Sequence, residues 1–470
     1  MTLEIDEPSS WLPALAGNGT QYLAIAGAIE RDIRSGKLKS GDRLPTHRQL
    51  AASLGISIST ASKAYSEANR RKLIRSEVGR GTYVLPAPAI ERSRYVLHEE
   101  TGGLIDLGYN CPIIGPHHVR AMSTTLAGLA QSNQLADLLQ YQRPYLGLLG
   151  HREAACRWLE RQGVVTRPDD VVVVNGAQHG TAVTLLSMTK PGDVILTEEL
   201  TDPGIKYLCS NIGLSLRGIA MDGEGLIPEA FEAECKETKI RGLICMPNHQ
   251  SPTLAILPAA RRAAIAAIAE RYDVLLIEND VYGPLVSEHP APLWSLAPHR
   301  TFYITSLSKV LVPGIRIGFL ATPPGQARTV MPGLGTTSWM PSLVSAELAM
   351  NWLASETADK LVAWQRQELA KRNGMAREAL GQLSFRSLES GLHVWVTLAP
   401  PWRAEAFLQE IRKAQVLAAG GEVFAVGHAP APQAIRLSLG GAVSSEAELQ
   451  KGFQIISEAL KGRPQTVPTM

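Results

Sequence analysis

A lysine, two serines and an arginine lie close together in the segment TSLSKVLVPGIRIGF, which spans Thr305–Phe319. Lys309 follows Ser306 and Ser308, and Arg316 lies seven residues after the lysine. Primary amines bond reversibly to carbonyl groups, whereas hydroxyl and guanidinium groups bind anions. What a lysine does in this setting depends on the elements that position it, and these must be found in the rest of the chain.

The composition is that of an ordinary globular protein, with 45% hydrophobic and 19% charged residues. At 470 residues the chain is too long for one ordinary domain. The formal net charge is only +2, but residues 30–80 contain 12 Lys and Arg against 5 Asp and Glu. A local basic excess beside a near-neutral remainder indicates one domain that faces nucleic acid and another that does not.

The five cysteines are scattered and form no CxxC pair, which predicts reduced thiols in a cytoplasmic protein and no metal site. The N-terminal sequence MTLEIDEPSSW is acidic and lacks the basic and apolar regions of a secretion signal. No segment approaches the run of about 18 apolar residues that a membrane-spanning helix needs. We therefore expect neither secretion nor insertion into a membrane.

Helix and turn signals alternate near the N-terminus. Apolar residues recur at helical spacing over Tyr22–Ile33, and the glycines and proline that follow break this helix. THRQLAASLG predicts a short helix with Thr46 as N-cap and Gly55 at its end, and Ser57 is the expected N-cap of the next helix. Two short helices around a glycine turn form a helix-turn-helix. The stretch IRSEVGRGTYVLP then predicts two short strands, a β-wing.

Residues 20–85 resemble the winged-helix domain of GntR-family bacterial regulators, which is mostly α-helical with a β-wing. The matching stretches are SGKLKSGDRLPTHRQLAASLGIS, then AY, LI and GRGTYV. The resemblance implies double-stranded operator DNA as the partner, with a recognition helix in the major groove and two arginines on phosphates. The DNA-binding residues implied are Ser57, Ser59, Thr60, Ser62, Lys63, Arg48 and Arg80. The alternative is a three-helix packing unit whose charges are solvated.

The stretch PAPAIERSRYVLHEE combines two prolines with many charges and shows no clear period, which predicts a linker. We expect a DNA-binding domain at 15–85, a linker at 86–102, a large domain at 103–330, a small domain at 331–462 and a tail at 463–470. The linker would let the DNA-binding domain sit apart from the larger body.

Beyond about residue 105, short apolar runs such as VVVV, DVILTEE, RGLICMP, DVLLIEND and TFYITS alternate with helical stretches. Strands that are buried on both faces and alternate with helices indicate an α/β fold with a parallel or mixed sheet. Ligands of such sheets bind beyond the carboxyl ends of the strands. NGAQHG, MPNHQSP, ENDVYG and TSLSK each follow a strand-like run, so we expect them to converge on one crevice.

The order of these segments over residues 105–445 resembles the fold-type-I aminotransferases, which bind pyridoxal 5′-phosphate (PLP). With the N-terminal stretch, the chain resembles the MocR subfamily of GntR regulators, in which an aminotransferase-like domain is the effector domain. The resemblance implies an α/β PLP-dependent transferase fold of type I with large and small subdomains. It also implies a homodimer, with an amino acid or another amino compound as effector.

The resemblance assigns roles to particular residues. Lys309 would form the Schiff base with PLP, which requires a primary amine, and Tyr282 would bond the phenolic oxygen of the cofactor. Arg436 would pair with the carboxylate of an amino compound. Tyr141 would reach a phosphate in the partner subunit. The residues implied to hold the phosphate are Ser306, Ser308, Arg316, Gly176, Ala177 and Gln178, the last three through backbone N–H groups at a helix N-terminus.

Three positions depart from the family pattern. Asn279 replaces the aspartate expected three residues before Tyr282, and a neutral amide is poor at keeping a pyridine nitrogen protonated. Asp280 is adjacent, but alternation along a strand would aim it elsewhere. Ser251 stands where an asparagine near the ring oxygen is usual, and Asp202 stands where an aromatic stacks on the ring. Together they predict a domain that binds PLP or a ligand without being a competent transaminase.

Three functions stay open on the sequence. The first is a PLP-dependent transcription regulator that senses PLP or its adduct with an amino compound. The second is a working aminotransferase with an attached DNA-binding domain. The third is a regulator whose pocket no longer bonds PLP and binds another small molecule or none.

Overall fold

The computed structural model describes residues 11–13, 20–34, 37–39, 41–71, 73–77, 81–85, 103–140, 145–427, 430–441 and 445–462. They form two compact units, one built on residues 11–85 and the other on residues 103–427 and 431–462. The expected linker at 86–102 and tail at 463–470 lie outside the described residues, as do Arg80 and Tyr141. The expected division of the second unit near residue 330 stays a prediction.

The first unit is a three-helix bundle with a small sheet. Its elements are α1 (Gln21–Arg34), β1 (Arg43–Leu44), α2 (His47–Leu54), α3 (Ile58–Arg70), β2 (Ile74–Glu77) and β3 (Gly81–Val84). The three strands are antiparallel in the order β1-β3-β2. The helix-turn-helix and the β-wing that the sequence predicts are therefore confirmed.

Short polar side chains and one glycine determine where α2 and α3 begin and end. The Thr46 hydroxyl accepts a hydrogen bond from the N–H of Gln49, whose side-chain oxygen accepts from the N–H of Thr46. Gly55 ends α2 with a φ of 63°, in the left-handed region that glycine favours. Ser57 caps α3, because its hydroxyl accepts from the N–H of Thr60 at 3.0 Å. The three positions expected to bound these helices are confirmed.

The second unit alternates strands and helices through most of its length. Its first half contains β4 (Ile105–Asp106), α4 (Pro116–Ala130), α5 (Leu135–Leu138), α6 (Leu149–Glu160), β5 (Val171–Val174), α7 (Ala177–Met188), β6 (Val194–Glu198), α8 (Pro203–Asn211), β7 (Ser215–Ile219), β8 (Met221–Asp222), β9 (Gly225–Leu226), α9 (Pro228–Glu237), β10 (Gly242–Cys245) and α10 (Ala259–Arg271). Its second half contains β11 (Leu275–Asn279), α11 (Leu293–Leu296), β12 (Thr301–Ser306), β13 (Gly318–Ala321), α12 (Met331–Thr336), α13 (Leu343–Ala354), α14 (Thr357–Leu380), β14 (Phe385–Arg386), β15 (His393–Thr397), α15 (Ala404–Lys413), β16 (Val416–Leu417), β17 (Ala419–Gly420), β18 (Ala434–Ser438) and α16 (Glu446–Lys461).

A seven-stranded mixed sheet of order β5-β13-β12-β11-β10-β6-β7 lies at the centre of this unit. Only β13 runs antiparallel to its neighbours. The four valines of β5 show why the run is continuous: Val171 and Val173 pack into one core cluster, and Val172 and Val174 into another. Both faces of β5 are covered, so every position of this strand is apolar. The predicted α/β class is confirmed.

A second, antiparallel sheet of order β14-β15-β18-β17 follows later in the chain. The short strand β4 pairs in parallel with β16. The backbone continues this attachment, because the N–H of Ser438 donates to the carbonyl of Leu107 at 2.7 Å. The segment that follows β4 is therefore tied to the smaller sheet.

Among the described residues, no helix is long and apolar enough to cross a membrane. In the same parts of the chain, no group of three or more His, Cys, Asp and Glu side chains could hold a metal ion. All five cysteines are free thiols.

Candidate functional site

Every strand of the large sheet except β13 points the same way and ends at one edge, because the two antiparallel steps through β13 restore the direction of β5. Four of these strands lead into loops of the site, namely β5, β10, β11 and β12. The loops that leave this edge are NGAQ, MPNHQS, DVY and LSK, and they carry most of the residues implied by the sequence. The expected convergence on one crevice follows from this topology.

Lys309 lies at this edge, and its amine donates a hydrogen bond to the main-chain carbonyl of Asn110 at 2.5 Å. Burial lowers the pKa of the Lys309 amine, while the charge of Asp202 opposes this shift and that of Arg436 adds to it. A lowered pKa enlarges the fraction of neutral amine near neutral pH, and the neutral amine is the nucleophile.

Asn110, which the sequence reasoning missed, links Lys309 to Tyr282. Its amide nitrogen donates to the Tyr282 hydroxyl oxygen at 3.0 Å and contacts Nδ1 of His393 at 3.2 Å. Its amide oxygen accepts from the Ser438 hydroxyl at 3.3 Å. The main chain and the side chain of one residue therefore hold both groups.

His393 fixes the direction of this amide. Its Nε2 faces the carbonyl of Pro252 at 3.0 Å, and a carbonyl can only accept, so Nε2 carries the proton. Nδ1 is then an acceptor for the amide of Asn110. Burial lowers the pKa of His393 well below its usual range, so the ring stays neutral. The sequence signal for His393 is its place as a histidine inside the apolar run LHVWVTL.

Tyr282 is held from its ring face as well as from its hydroxyl. The His249 ring stacks on it with centroids 4.6 Å apart, and Nε2 of His249 accepts from the N–H of Leu392. Burial lowers the pKa of His249 to about 4 and raises the pKa of Tyr282 to about 12. At neutral pH both rings are uncharged, and the phenol keeps its proton.

Arg316 and Gly176 form a cradle beside the start of α7. Arg316 has a left-handed φ of 54°, and its guanidinium donates to the Ser308 hydroxyl at 3.3 Å. Gly176 has a φ of 83°, and a Cβ there would lie 2.9 Å from Nη2 of Arg316. Only glycine satisfies both the backbone and the close approach of the guanidinium.

The other residues expected around the phosphate have different contacts. The N–H of Gly176 donates to the carbonyl of Val174 and is not free for a phosphate. Gly176 instead leaves room for the guanidinium of Arg316. The first N–H groups of α7, at Ala177 and Gln178, have no acceptor within the helix. The Gln178 side chain donates to the carbonyl of Gly204. The Ser306 hydroxyl donates to the carbonyl of Ile317, so its contact with an anion stays a prediction.

Arg436 lies on β18, and two of its five N–H donors have partners within the described chain. Its guanidinium donates to the Ser251 hydroxyl at 3.2 Å and to the carbonyl of Gly108 at 3.0 Å. Its plane lies 4.7 Å from the ring centre of Phe424. Nε is buried and has no partner among the described residues. A carboxylate that binds Arg436 can therefore use the N–H donors that remain, among them Nε, or displace Gly108 and Ser251.

Asn279 and Asp280 face opposite sides of the strand, as alternation predicts. The Asp280 carboxylate accepts from the Tyr303 hydroxyl at 2.6 Å and from the amide of Asn248 at 3.1 Å, so it lies within the core. These partners support the expectation that Asp280 does not replace Asn279, which stays a prediction. The side-chain oxygen of Asn279 is buried and unpartnered within the described chain. A buried acceptor without a partner in the chain is available to a ligand group.

Asp202 has a local structural reason to be an aspartate. It is the N-cap of α8, where its carboxylate accepts from the N–H of Gly204 at 2.8 Å and Pro203 follows at the first helical position. The carboxylate is thus held at the edge of the site, where its charge acts on Lys309.

These observations fit PLP at three of its groups. A cradle of arginine, hydroxyl and helix N-terminus suits a phosphate, a lysine amine with a lowered pKa suits an aldehyde, and a fixed tyrosine suits a phenolic oxygen. The unpartnered oxygen of Asn279 marks a fourth position, where an amide replaces the usual carboxylate.

Apart from Arg80, the residues expected to meet DNA lie on α2 and α3 or between them. Arg48, Ser59 and Lys63 are exposed, and Ser62 is half-buried. The hydroxyls of Ser57 and Thr60 lie 2.8 Å apart and bond to each other, so both serve the helix cap.

Family comparisons agree with both units. Residues 116–456 match the family described as aminotransferase class I and II, and residues 21–84 match the bacterial regulatory proteins of the gntR family. The chain is 29% identical to the HTH-type transcriptional regulator YdeF of Bacillus subtilis, over 96% of this chain and 97% of YdeF. It is 27% identical to the HTH-type pyridoxine biosynthesis transcriptional regulator PdxR of Corynebacterium glutamicum, over 78% and 80%.

Solved structures resemble the second unit. The kynurenine aminotransferase of Pyrococcus horikoshii superposes with a TM-score of 0.70 at 23% identity, over 76% of this chain and 91% of that one. The multiple substrate aminotransferase of Thermococcus profundus gives a TM-score of 0.70 at 20% identity, over 77% and 92%. At this level of identity the similarity establishes the fold, and the predicted fold type I is confirmed.

Replacing Asn110 with alanine should lower the free energy of unfolding of the second unit by about 2–3 kcal/mol, because Tyr282, His393 and Ser438 lose their buried partner. Ser438→Ala removes only one of these bonds and should cost about 1 kcal/mol. Seven of the eight tryptophans lie in this unit, so urea unfolding followed by fluorescence measures both values. Equal losses in the two variants would contradict a central role for the Asn110 amide.

Proposed function

Since this chain belongs to the aminotransferase class I and II family and carries a gntR-family domain as well, we propose that it is a DNA-binding transcription regulator that responds to PLP. The ligand sensed is PLP itself or its adduct with an amino compound. This architecture is consistent with the MocR subfamily. The observation that carries the proposal is the meeting of Lys309, Tyr282 and Arg316 at one edge of the large sheet, with Arg436 of the smaller sheet bonded to the loop that holds Ser251, in a chain that also has a winged helix.

The cofactor end of the site is built for a phosphorylated pyridine aldehyde. Lys309 would hold the aldehyde end through its amine, and PLP, once bound, would supply a conjugated ring that can accept electrons. Arg316, Ser308 and the first N–H groups of α7 hold the phosphate. Tyr282, oriented by Asn110, donates its proton toward the phenolic oxygen.

Arg436 gives the site its preference for an amino compound that also carries a carboxylate. A carboxylate accepts two parallel hydrogen bonds from a guanidinium, which are stronger than the single bonds to Gly108 and Ser251. Exchange of these partners would release Gly108 from Arg436. Because Gly108 lies in the segment tied to the smaller sheet, this exchange offers a route from effector binding to a change in backbone position.

Asn279 argues against rapid transamination. An aspartate facing the pyridine nitrogen keeps it protonated and makes the ring an electron sink, which a neutral amide does poorly. The nearest alternative carboxylate, Asp280, is bonded to Tyr303 and Asn248 inside the core. The site therefore favours holding a ligand over turning it over.

DNA binding follows from α2, α3 and their exposed polar residues. Arg48 and Lys63 supply salt-dependent attraction to phosphates, while Ser59 and Ser62 reach base edges in the major groove. The wing residue Arg80 belongs to the same proposal, although it lies outside the described part of the chain.

A homodimer is supported by apolar side chains left exposed on the second unit. They lie on or beside α4, α5, α6 and α12 and comprise Val119, Leu126, Leu139, Leu149 and Trp339. α4, α5 and α13 share one core cluster around Leu129, Leu138, Leu343 and Leu348. Exposed apolar side chains on neighbouring helices are typical of subunit interfaces. A dimer also presents two winged helices to two half-sites.

Borohydride reduction of the protein incubated with PLP should attach the cofactor to the peptide that carries Lys309. Lys309→Ala should abolish the label. The matched control is Lys206→Ala, because Lys206 is also partly buried and burial also lowers its pKa. Mass spectrometry of the peptides locates the label. A label on Lys206, or none, would favour the function in which the pocket does not bond PLP.

Asn279→Asp should bind PLP more tightly, by about tenfold in Kd, because a charge-assisted hydrogen bond to the ring nitrogen replaces a neutral one. Titration of the apoprotein by absorbance measures this constant. Asn279→Ala is the control and should not tighten binding. An unchanged Kd in Asn279→Asp would mean that no group at this position meets the ring nitrogen.

Lys63→Ala should weaken DNA binding and reduce the slope of log K against log salt by about 1 for each half-site. Lys413→Ala is the control, since Lys413 is an exposed lysine on α15 of the other unit. Binding to a selected double-stranded fragment is measured over a range of salt concentrations. A slope that Lys63→Ala leaves unchanged would contradict its contact with phosphate.

A further inference from the structure

Ile58, at the start of α3, is an apolar residue exposed where a buried one would be expected. It is 54% exposed, and it is absent from the hydrophobic core of the first unit, which includes Leu54 and Ile56 nearby. The other apolar residues of α3 point inward; they are Ala61, Ala64, Tyr65 and Ala68. The packing of the unit therefore does not explain Ile58.

The neighbours of Ile58 on the outward side of α3 are short and polar. They are Ser59, Ser62, Lys63 and Ser66, of which only Ser62 is half-buried and the rest are exposed. The hydroxyls of Ser57 and Thr60 are bonded to each other at the helix cap. Ile58 is thus the one large apolar side chain that α3 offers to a partner, within a surface of hydroxyls and one cation.

The residue types on this surface restrict which bases it can read. Arginine and lysine suit guanine, asparagine and glutamine suit adenine, carboxylates suit cytosine, and apolar groups suit the C5 methyl of thymine. The nine residues ISTASKAYS, from Ile58 to Ser66, contain no Arg, Asn, Gln, Asp or Glu. Lys63 can reach guanine or a phosphate, and the hydroxyls bond to several bases without strong preference. Ile58 is the residue of this stretch whose side chain suits thymine and cannot instead bond a phosphate.

We propose that Ile58 contacts the C5 methyl group of a thymine in each half-site of the operator. This inference rests on the proposed function, because it requires that α3 enters the major groove. A nucleic acid fits this surface better than a protein partner does, since one isoleucine among serines and a lysine lacks the apolar area of a protein interface.

The methyl contact sets the size of the expected effect. Burying one methyl group should change Kd by about three- to fourfold for each half-site, and by about tenfold for a dimer on two half-sites. Replacing thymine by deoxyuridine removes only this methyl and keeps every hydrogen-bonding group of the base pair, so the protein's polar contacts are unaffected.

The test begins with selection of binding sites from randomised double-stranded DNA by the full-length protein. Each thymine of the selected sequence is then replaced in turn by deoxyuridine, and Kd is measured for the wild type, Ile58→Ala and Ile58→Val. The matched control is Leu23→Ala, because Leu23 is an apolar residue of α1 that is 40% exposed. Ile58 is exposed and alanine is a good helix former, so the variant retains its fold.

We expect one thymine in each half-site at which deoxyuridine raises the Kd of the wild type, of Ile58→Val and of Leu23→Ala. The same replacement should leave the Kd of Ile58→Ala unchanged. Equal sensitivity of the wild type and Ile58→Ala at every thymine would overturn the role of Ile58 and leave DNA binding intact. A selection that enriches no sequence above non-specific binding would overturn the proposed function, and the inference with it.

Discussion

The hydrogen bond between the Lys309 amine and the carbonyl of Asn110 is the contact around which the site of the second unit is arranged. Asn110 belongs to the segment after β4. The strand β4 pairs with β16, and Leu107 of this segment bonds to β18. Lys309 instead follows β12 of the large sheet. One bond therefore joins the two sheets across the site. The Asn110 amide reinforces it by holding Tyr282, so a shift of the smaller sheet acts on the amine and the phenol together.

Burial keeps the histidines around this contact neutral and so gives the network a single direction. A charged His393 could not accept from Asn110, and a charged His249 could not accept from Leu392. Both rings have a lowered pKa because they are desolvated. The hydrogen bonds that orient Tyr282 are consequently insensitive to pH near neutrality, which suits a site that reports the presence of a ligand rather than the acidity of its surroundings.

The departures from the aminotransferase pattern have different physical origins. Asp202 caps α8, and its charge raises the proton affinity of Lys309 against the effect of burial. The Ser251 hydroxyl accepts a hydrogen bond from Arg436. Asn279 leaves a buried oxygen without a partner in the described chain. The side chains of Asp202 and Ser251 have hydrogen-bond partners within the protein, whereas the oxygen of Asn279 is available to a ligand.

Signals that act over a few residues could be read from the sequence, because caps, glycine turns and apolar runs depend on neighbouring side chains. Thr46, Gly55 and Ser57 were located in this way, and so were the strand ends that bring Lys309, Tyr282 and Arg316 together. Asn110 could not be found, because its partners Tyr282 and His393 lie 172 and 283 residues away. Only the tertiary structure decided that Arg436 donates hydrogen bonds to Gly108 and Ser251, and that the Ser306 hydroxyl donates to the main-chain carbonyl of Ile317. These contacts depend on which distant segments the folded chain packs side by side.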